Sequence, residues 1–207
     1  MKKYDSIIFD LDGTLWDSVN SVVDIWNNAL IKAGIEPTMN YNELSKCMGL
    51  QIEQIFDKVI PQATYEQRRI VKQNCLSSEV DFLSVKGGIL YKNLEDTLST
   101  LKKSFPLFIV SNCQDGYINA FFTAHDTKKY FDDYECAGRT GKSKGENIKI
   151  LCSRHNLKKP VYVGDTVMDF TAAEYAGIDF IHAAYGFGEV ENAKKINTFA
   201  ELIELTK

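Results

Sequence analysis

Short apolar runs alternate along this chain with longer stretches of helical pattern, and that alternation restricts the fold more than any other feature. The runs are Ser6 to Phe9, Leu107 to Val110, Tyr134 to Ala137, Val161 to Val163 and Asp179 to Ala183. Several are rich in Val, Ile, Phe or Tyr, the residues that suit a buried strand. Helical patterns over Leu94 to Lys103, Gly116 to Thr123, Lys144 to Arg154 and Phe170 to Tyr175 separate them. A doubly wound α/β fold is expected, with a parallel sheet covered by helices on both faces. Asp10, Ser111, Gly138 and the Gly164-Asp165 pair stand at the ends of four runs. In such a sheet, ligands bind beyond the carboxyl ends of the strands.

Residues 16–83 break the alternation, since helical stripes occur there without a convincing buried strand. Val22, Val23, Trp26, Leu30 and Ile31 approximate one apolar stripe, and Ile52, Ile55, Phe56 and Val59 another. Gly34 and Pro37 mark a turn, Pro61 separates two helices, and Gly87-Gly88 returns the chain to the sheet. The expected organisation is an α/β core from residues 1–15 and 84–207 with a helical cap inserted at 16–83.

The 207 residues, 44% of them hydrophobic, suffice for one core plus a modest insertion. A net charge of −4 offers no general attraction for nucleic acid or an anionic membrane. The five cysteines are widely spaced without a CxxC pair, which suggests neither a disulfide framework nor a zinc site. The apolar run after Lys2 and Lys3 is too short for a signal-peptide core or a membrane span, so a cytoplasmic location is expected. Oligomeric state is not legible.

The strongest chemical signal is Phe9-Asp10-Leu11-Asp12-Gly13-Thr14-Leu15, directly after an apolar strand. Two carboxylates one residue apart repel unless they share a proton or a cation, and Mg²⁺ can relieve that repulsion while gripping a phosphate oxygen. Three further signals follow in order. Ser111-Asn112 ends a strand, where a hydroxyl and backbone N–H groups can hold phosphate oxygens. Ser143-x-x-Glu146 is a capping box beside Lys142 and Lys144, and phosphoryl transfer needs a cation for the equatorial oxygens. Gly164-Asp165 ends another strand, with Asp169 four residues on; Asp165 can complete a metal shell, while Asp169 can bind metal through water or orient the lysine.

With these motifs in this order, the chain resembles the haloacid dehalogenase superfamily, in the manner of its phosphoglycolate phosphatase-like members with a helical cap of the C1 type. That resemblance implies a metal-dependent phosphatase, with Asp10 as nucleophile and Asp12 as the acid for the leaving alcohol, then the base for water. It implies Ser111 and Asn112 as phosphate ligands, Lys144 rather than Lys142 as the catalytic lysine, and Asp10, Asp12, Asp165 and Asp169 as the residues around Mg²⁺. The dehalogenases and phosphonatases of the superfamily lack an aspartate at the second position, so Asp12 argues against both. The expected substrate is a small phosphorylated metabolite such as phosphoglycolate, a sugar phosphate, a nucleotide or pyrophosphate. A β-phosphoglucomutase-like phosphotransferase is the nearest competing reading. Such mutases usually carry Glu-Asp where this chain has Gly164-Asp165, and a cap arginine three residues after a glycine, where this chain has Ile52 after Gly49. A non-enzymatic, Asp-phosphorylated signalling domain would use similar acids but would need neither Asp12 as an acid nor a cap.

The other polar residues carry less. His125, His155 and His182 lack metal-ligand spacing, Trp16 reads as an aromatic packing contact beside the first motif, and the glycines of Tyr185-Gly186-Phe187-Gly188 read as permitting a backbone path.

Overall fold

The computed structural model describes residues 3–206. Among these, β1 (Ser6–Phe9), β4 (Leu107–Ser111), β5 (Asp133–Cys136), β6 (Pro160–Gly164), β7 (Asp179–Ala183) and the two-residue β8 (Lys195–Ile196) form one sheet. Its order is β5-β4-β1-β6-β7-β8 and every pairing is parallel. Strand periodicity explains the layers: Ile7, Phe9, Leu107, Ile109, Val161 and Val163 enter one apolar cluster, while Ile8, Phe108, Val110 and Tyr162 enter another. Both faces are therefore covered, and the helices α5 (Leu94–Lys102), α6 (Tyr117–His125), α8 (Lys144–Arg154) and α9 (Val167–Ala176) connect the strands. The expected α/β class is observed.

Local chemistry sets the helix starts. Ser143 caps α8 and exchanges hydrogen bonds with Glu146, as the S-x-x-E spacing predicts. Thr166 and Asp169 make the same box for α9, so this helix begins at Val167, ahead of the expected Phe170. Strand β5 stops at Cys136 because Ala137–Thr140 form a helical turn, α7. The chain closes with α10 (Leu202–Leu205).

Between the first motif and residue 88 lie α1 (Val19–Lys32), α2 (Tyr41–Ser45), α3 (Ile52–Val59) and α4 (Tyr65–Lys86). Val22, Trp26 and Leu30 are buried along α1, but Ile31 is 56% exposed, since it lies one residue beyond the stripe of four-residue spacing. Helix α1 packs on α4, and α4 packs on α6. The sequence reading missed a short antiparallel ribbon, β2 (Trp16–Asp17) with β3 (Ile89–Leu90), at the two ends of this helical segment. Two residues per strand carry no readable period.

Candidate active site

Strands β1 and β6 are hydrogen-bonded neighbours, which brings the first and fourth motifs together at one end of the sheet. The Asp10 amide donates to the Val163 carbonyl at 2.8 Å. Asp10, Asp165 and Asp169 each offer a carboxylate oxygen within 4.8 Å of the others, and all three are buried. Gly13 makes the close approach possible: it has φ of +80°, and a Cβ there would lie 2.1 Å from Asp165 Oδ2.

Lys144 reaches this cluster from the first turn of α8. Its Nζ lies 3.0 Å from Asp10 Oδ1 and 2.5 Å from Asp169 Oδ1, and the residue is 4% exposed. Lys142 instead stands at the surface, 3.9 Å from Glu146. Asp169 has its Oδ2 occupied, accepting from the Thr166 hydroxyl and from the Thr166 and Asp165 amides, while Oδ1 faces Lys144. It serves both as a helix-start acid and as the anchor of Lys144. Asp165 Oδ2 accepts from the Phe187 amide at 2.7 Å, so the Tyr185–Gly188 loop does more than provide a chain path.

Three carboxylates against one lysine leave negative charge uncompensated in a buried place. Burial, with repulsion from Asp169, pushes Asp10 up to about 7 against the pull of Lys144. Burial, Asp169 and Asp10 push Asp165 well above the carboxylate range. Burial opposes the charge on Lys144, but Asp10 and Asp169 outweigh it and hold its pKa above the ordinary lysine value. Asp10 Oδ1 receives no aligned hydrogen bond despite the nearby Nζ. An all-oxygen donor set with excess negative charge and an unsatisfied oxygen fits a hard divalent cation.

The Asp12 carboxylate, expected with the metal-binding acids, is not in this cluster. Its Oδ1 accepts from the Ser18 hydroxyl at 2.6 Å, Trp16 Nε1 at 2.9 Å and the Tyr117 hydroxyl at 3.2 Å. Burial raises its pKa against these three donors. Trp16 is thus a direct holder of Asp12 as well as a core residue, its ring meeting Tyr117 and Phe121 edge-on. Ser18 and Tyr117 were not anticipated, since neither lies in a motif. The one available signal was the adjacency of Trp16 to Asp12 through Leu15.

Ser111 ends β4 at 4% exposure, and its Oγ accepts from the Cys113 amide at 3.4 Å. Asn112 turns the other way: its Nδ2 donates to the Gly49 carbonyl at 2.8 Å, tying the loop after β4 to the loop between α2 and α3. Asp12, Ser111, Asn112 and the Cys47–Gln51 stretch line a cavity of about 560 Å³. The histidines stand apart: His155 bonds Asp133 at 2.8 Å, His182 bonds the Gly188 carbonyl at 3.1 Å, and His125 meets the Trp16 ring edge-on.

Comparison with known proteins agrees with this geometry. The family model for haloacid dehalogenase-like hydrolases matches residues 7–183. A phosphoglycolate phosphatase from Aquifex aeolicus is 26% identical, over 97% of this chain and 94% of that protein. A probable phosphatase, IndB, from Dickeya dadantii is 23% identical, over 95% and 91%. Among solved structures, a haloacid dehalogenase-like hydrolase from Streptococcus pneumoniae superposes with a TM-score of 0.87 at 21% identity, covering 99% of each chain. A structure described as a predicted phosphoglycolate phosphatase from Haemophilus somnus superposes at 0.88 with 22% identity and full coverage of both chains. No helix among the described residues is long and apolar enough to cross a membrane. A match spanning most of the chain, together with a parallel sheet that gathers the motif carboxylates and lysine at one end, establishes that this protein belongs to the haloacid dehalogenase-like hydrolases and is an enzyme.

Proposed function

We propose that this enzyme is a Mg²⁺-dependent phosphatase that hydrolyses a small phosphorylated metabolite through a phosphoryl group carried on Asp10. The observation that carries the reading is the division of labour between two aspartates. Asp10 lies buried against Lys144, whereas Asp12 is held apart by Trp16, Ser18 and Tyr117. A nucleophile that must meet a phosphate needs cationic surroundings, and a proton carrier needs a carboxyl with a raised pKa within reach of the departing oxygen.

An Asp10 carboxylate oxygen forms the bond to phosphorus as the bond from phosphorus to the alcohol oxygen breaks, and Asp12 gives its proton to the departing oxygen. The three donors on Asp12 all bind Oδ1, so Oδ2 is the oxygen that carries that proton. Asp12 then takes a proton from water, the water oxygen bonds to phosphorus, and Asp10 is released with inorganic phosphate. Lys144 neutralises charge on the phosphoryl oxygens, and the Ser111 hydroxyl binds one of them. Asp10, Asp165 and Asp169 would hold Mg²⁺, which supplies further charge neutralisation when bound. Residues 16–83 act as a cap that excludes water, with the Lys46–Gln51 loop facing the leaving group. The bond from Asn112 to Gly49 supports that placement.

Asp12→Ala tests the scheme. p-Nitrophenyl phosphate has a leaving group that needs no proton, so the variant should release a burst of p-nitrophenol, then turn over slowly with phosphoenzyme accumulating. Alkyl phosphates should lose about a hundredfold or more in the first step, the usual worth of a positioned acid. Equal losses on aryl and alkyl esters with no trapped phosphoenzyme would remove Asp12 from the role.

A further inference from the structure

The cavity that begins at Asp12 extends to a second buried carboxylate, Glu79 of α4, which the hydrolytic scheme does not use. Glu79 is 8% exposed. Its Oε1 accepts from Trp26 Nε1 at 2.7 Å and its Oε2 from Gln114 Nε2 at 2.8 Å. A carboxylate can accept about four hydrogen bonds, so each oxygen keeps capacity for another donor. No ion pair to Glu79 occurs among the described residues. Lys72 is the one cation among the described residues lining this cavity, and its Nζ is engaged 2.7 Å from Glu53 Oε1. The walls between are apolar, with Val22, Leu44, Met48, Leu50, Ile52 and Leu76. Burial, with Asp12 adding to it, pushes the Glu79 carboxyl up to about 7 against the two donors.

We infer, building on the phosphatase reading above, that Glu79 determines the substrate class: the cavity accepts phosphate monoesters of uncharged or cationic alcohols with an apolar body, and rejects phosphorylated hydroxy acids. A substrate carboxylate would enter a space beside the buried Glu79 carboxylate, with no free cation among the lining residues to receive it. A hydroxyl or ammonium group would instead find an acceptor with open capacity. At about 560 Å³ the cavity also falls in the range of pockets for drug-sized ligands, more than a two-carbon acid fills. The substrate named for the Aquifex aeolicus relative, phosphoglycolate, is therefore assigned to the rejected class in this enzyme.

Three esters of similar length test this with the full-length protein and Mg²⁺: phosphoglycolate, propyl phosphate and O-phosphoethanolamine, with p-nitrophenyl phosphate as a reference. The wild type should favour propyl phosphate and phosphoethanolamine over phosphoglycolate by about tenfold or more in kcat/KM, a discrimination within reach of one pocket contact. Glu79→Gln should shrink the preference over phosphoglycolate several-fold and lower phosphoethanolamine relative to propyl phosphate. The substitution suits the fold: the new amide oxygen can accept from Trp26, and the Gln114 amide can rotate to match the new amine. The wild-type ranking needs no variant, so it decides the matter even if Glu79→Gln fails to fold. Phosphoglycolate turned over as well as the others, or ratios unmoved by Glu79→Gln, would overturn the assignment while leaving the phosphatase reading intact. No hydrolysis of any ester, p-nitrophenyl phosphate included, would sink that reading and this inference with it.

Discussion

Asp10 carries two conflicting demands. In the proposed scheme its charge is needed for attack, yet its burial beside Asp165 and Asp169 disfavours that charge unless a cation is bound. Asp10→Asn should therefore cut turnover by about a thousandfold or more, as loss of a nucleophile does, while raising the melting temperature measured in chelator. A variant that stays active, or one that melts lower in chelator, would contradict the electrostatic account. The pH dependence has a definite sign. Asp10 is raised from 3.8 to about 7, so the stability it contributes is fully present below 3.8 and is lost as pH rises through 7. Glu79, raised from 4.5 to about 7, acts in the same direction and window. Stability in chelator should thus fall as pH rises from about 4 to about 7 and level off above that, by a few kcal/mol at most. Mg²⁺ should restore the Asp10 share at the higher pH, and Glu79→Gln should flatten the remainder. A flat profile in chelator would show that neither carboxyl titrates as described. Asp10 and Asp165 were legible because each directly follows an apolar strand, and Asp12 and Asp169 through their spacing from them; Ser18, Tyr117 and Glu79 were not, because they lie on helices or in turns with no motif around them.

The β2–β3 ribbon links the helical segment to the site. Trp16 of β2 reaches Asp12 at 2.9 Å, and Ser18 follows directly. Gly88 lies against that strand, where an added Cβ would come within 2.7 Å of the Asp17 carbonyl and 3.0 Å of the Trp16 ring. Gly88→Ala should therefore cost about 1–3 kcal/mol, the usual penalty of overpacking. For a chain of this size that is roughly 2–12 °C in melting temperature. Because the clash falls on the Trp16–Ser18 segment that holds Asp12, alkyl phosphate turnover should drop more than aryl phosphate turnover, mirroring a displaced Asp12. Loss of stability without that skew would separate the ribbon from the proton carrier. Helix α8 was readable from its capping box and α9 from its helical pattern, whereas the Thr166–Asp169 cap that starts α9 earlier was not read. Ribbons of two residues, and the two-residue β8, form only where a neighbouring strand supplies partners.

For the molecule as a whole, the carboxylate–lysine cluster joins elements far apart in sequence. Asp10 follows β1 and Asp165 follows β6, whereas Asp169 and Lys144 sit in the first turns of α9 and α8. Chelation should eliminate turnover and Mg²⁺ restore it, and Ca²⁺ should substitute poorly, because it takes more ligands at longer distances. Asp165→Ala should raise the Mg²⁺ concentration needed for half-maximal activity by tenfold or more, or end turnover. Full activity in excess chelator would refute the cation site.

Local sequence was sufficient for the α/β class, for the order of the four motifs, and for Asp10, Asp165, Asp169 and Lys144 as residues of one site. Strand ends and helix caps are short-range features, written in a few neighbouring residues. Assembly in three dimensions settled the rest. Lys144 rather than Lys142 enters the carboxylate cluster because the first turn of α8 faces β1. Asp12 leaves that cluster because Trp16, Ser18 and Tyr117 claim its carboxylate. Asn112 turns to Gly49, and Glu79 meets Trp26 and Gln114 across α1, α4 and the loop after β4. These contacts join residues separated by up to 134 positions, from Asp10 to Lys144, a range over which no periodicity or motif carries information.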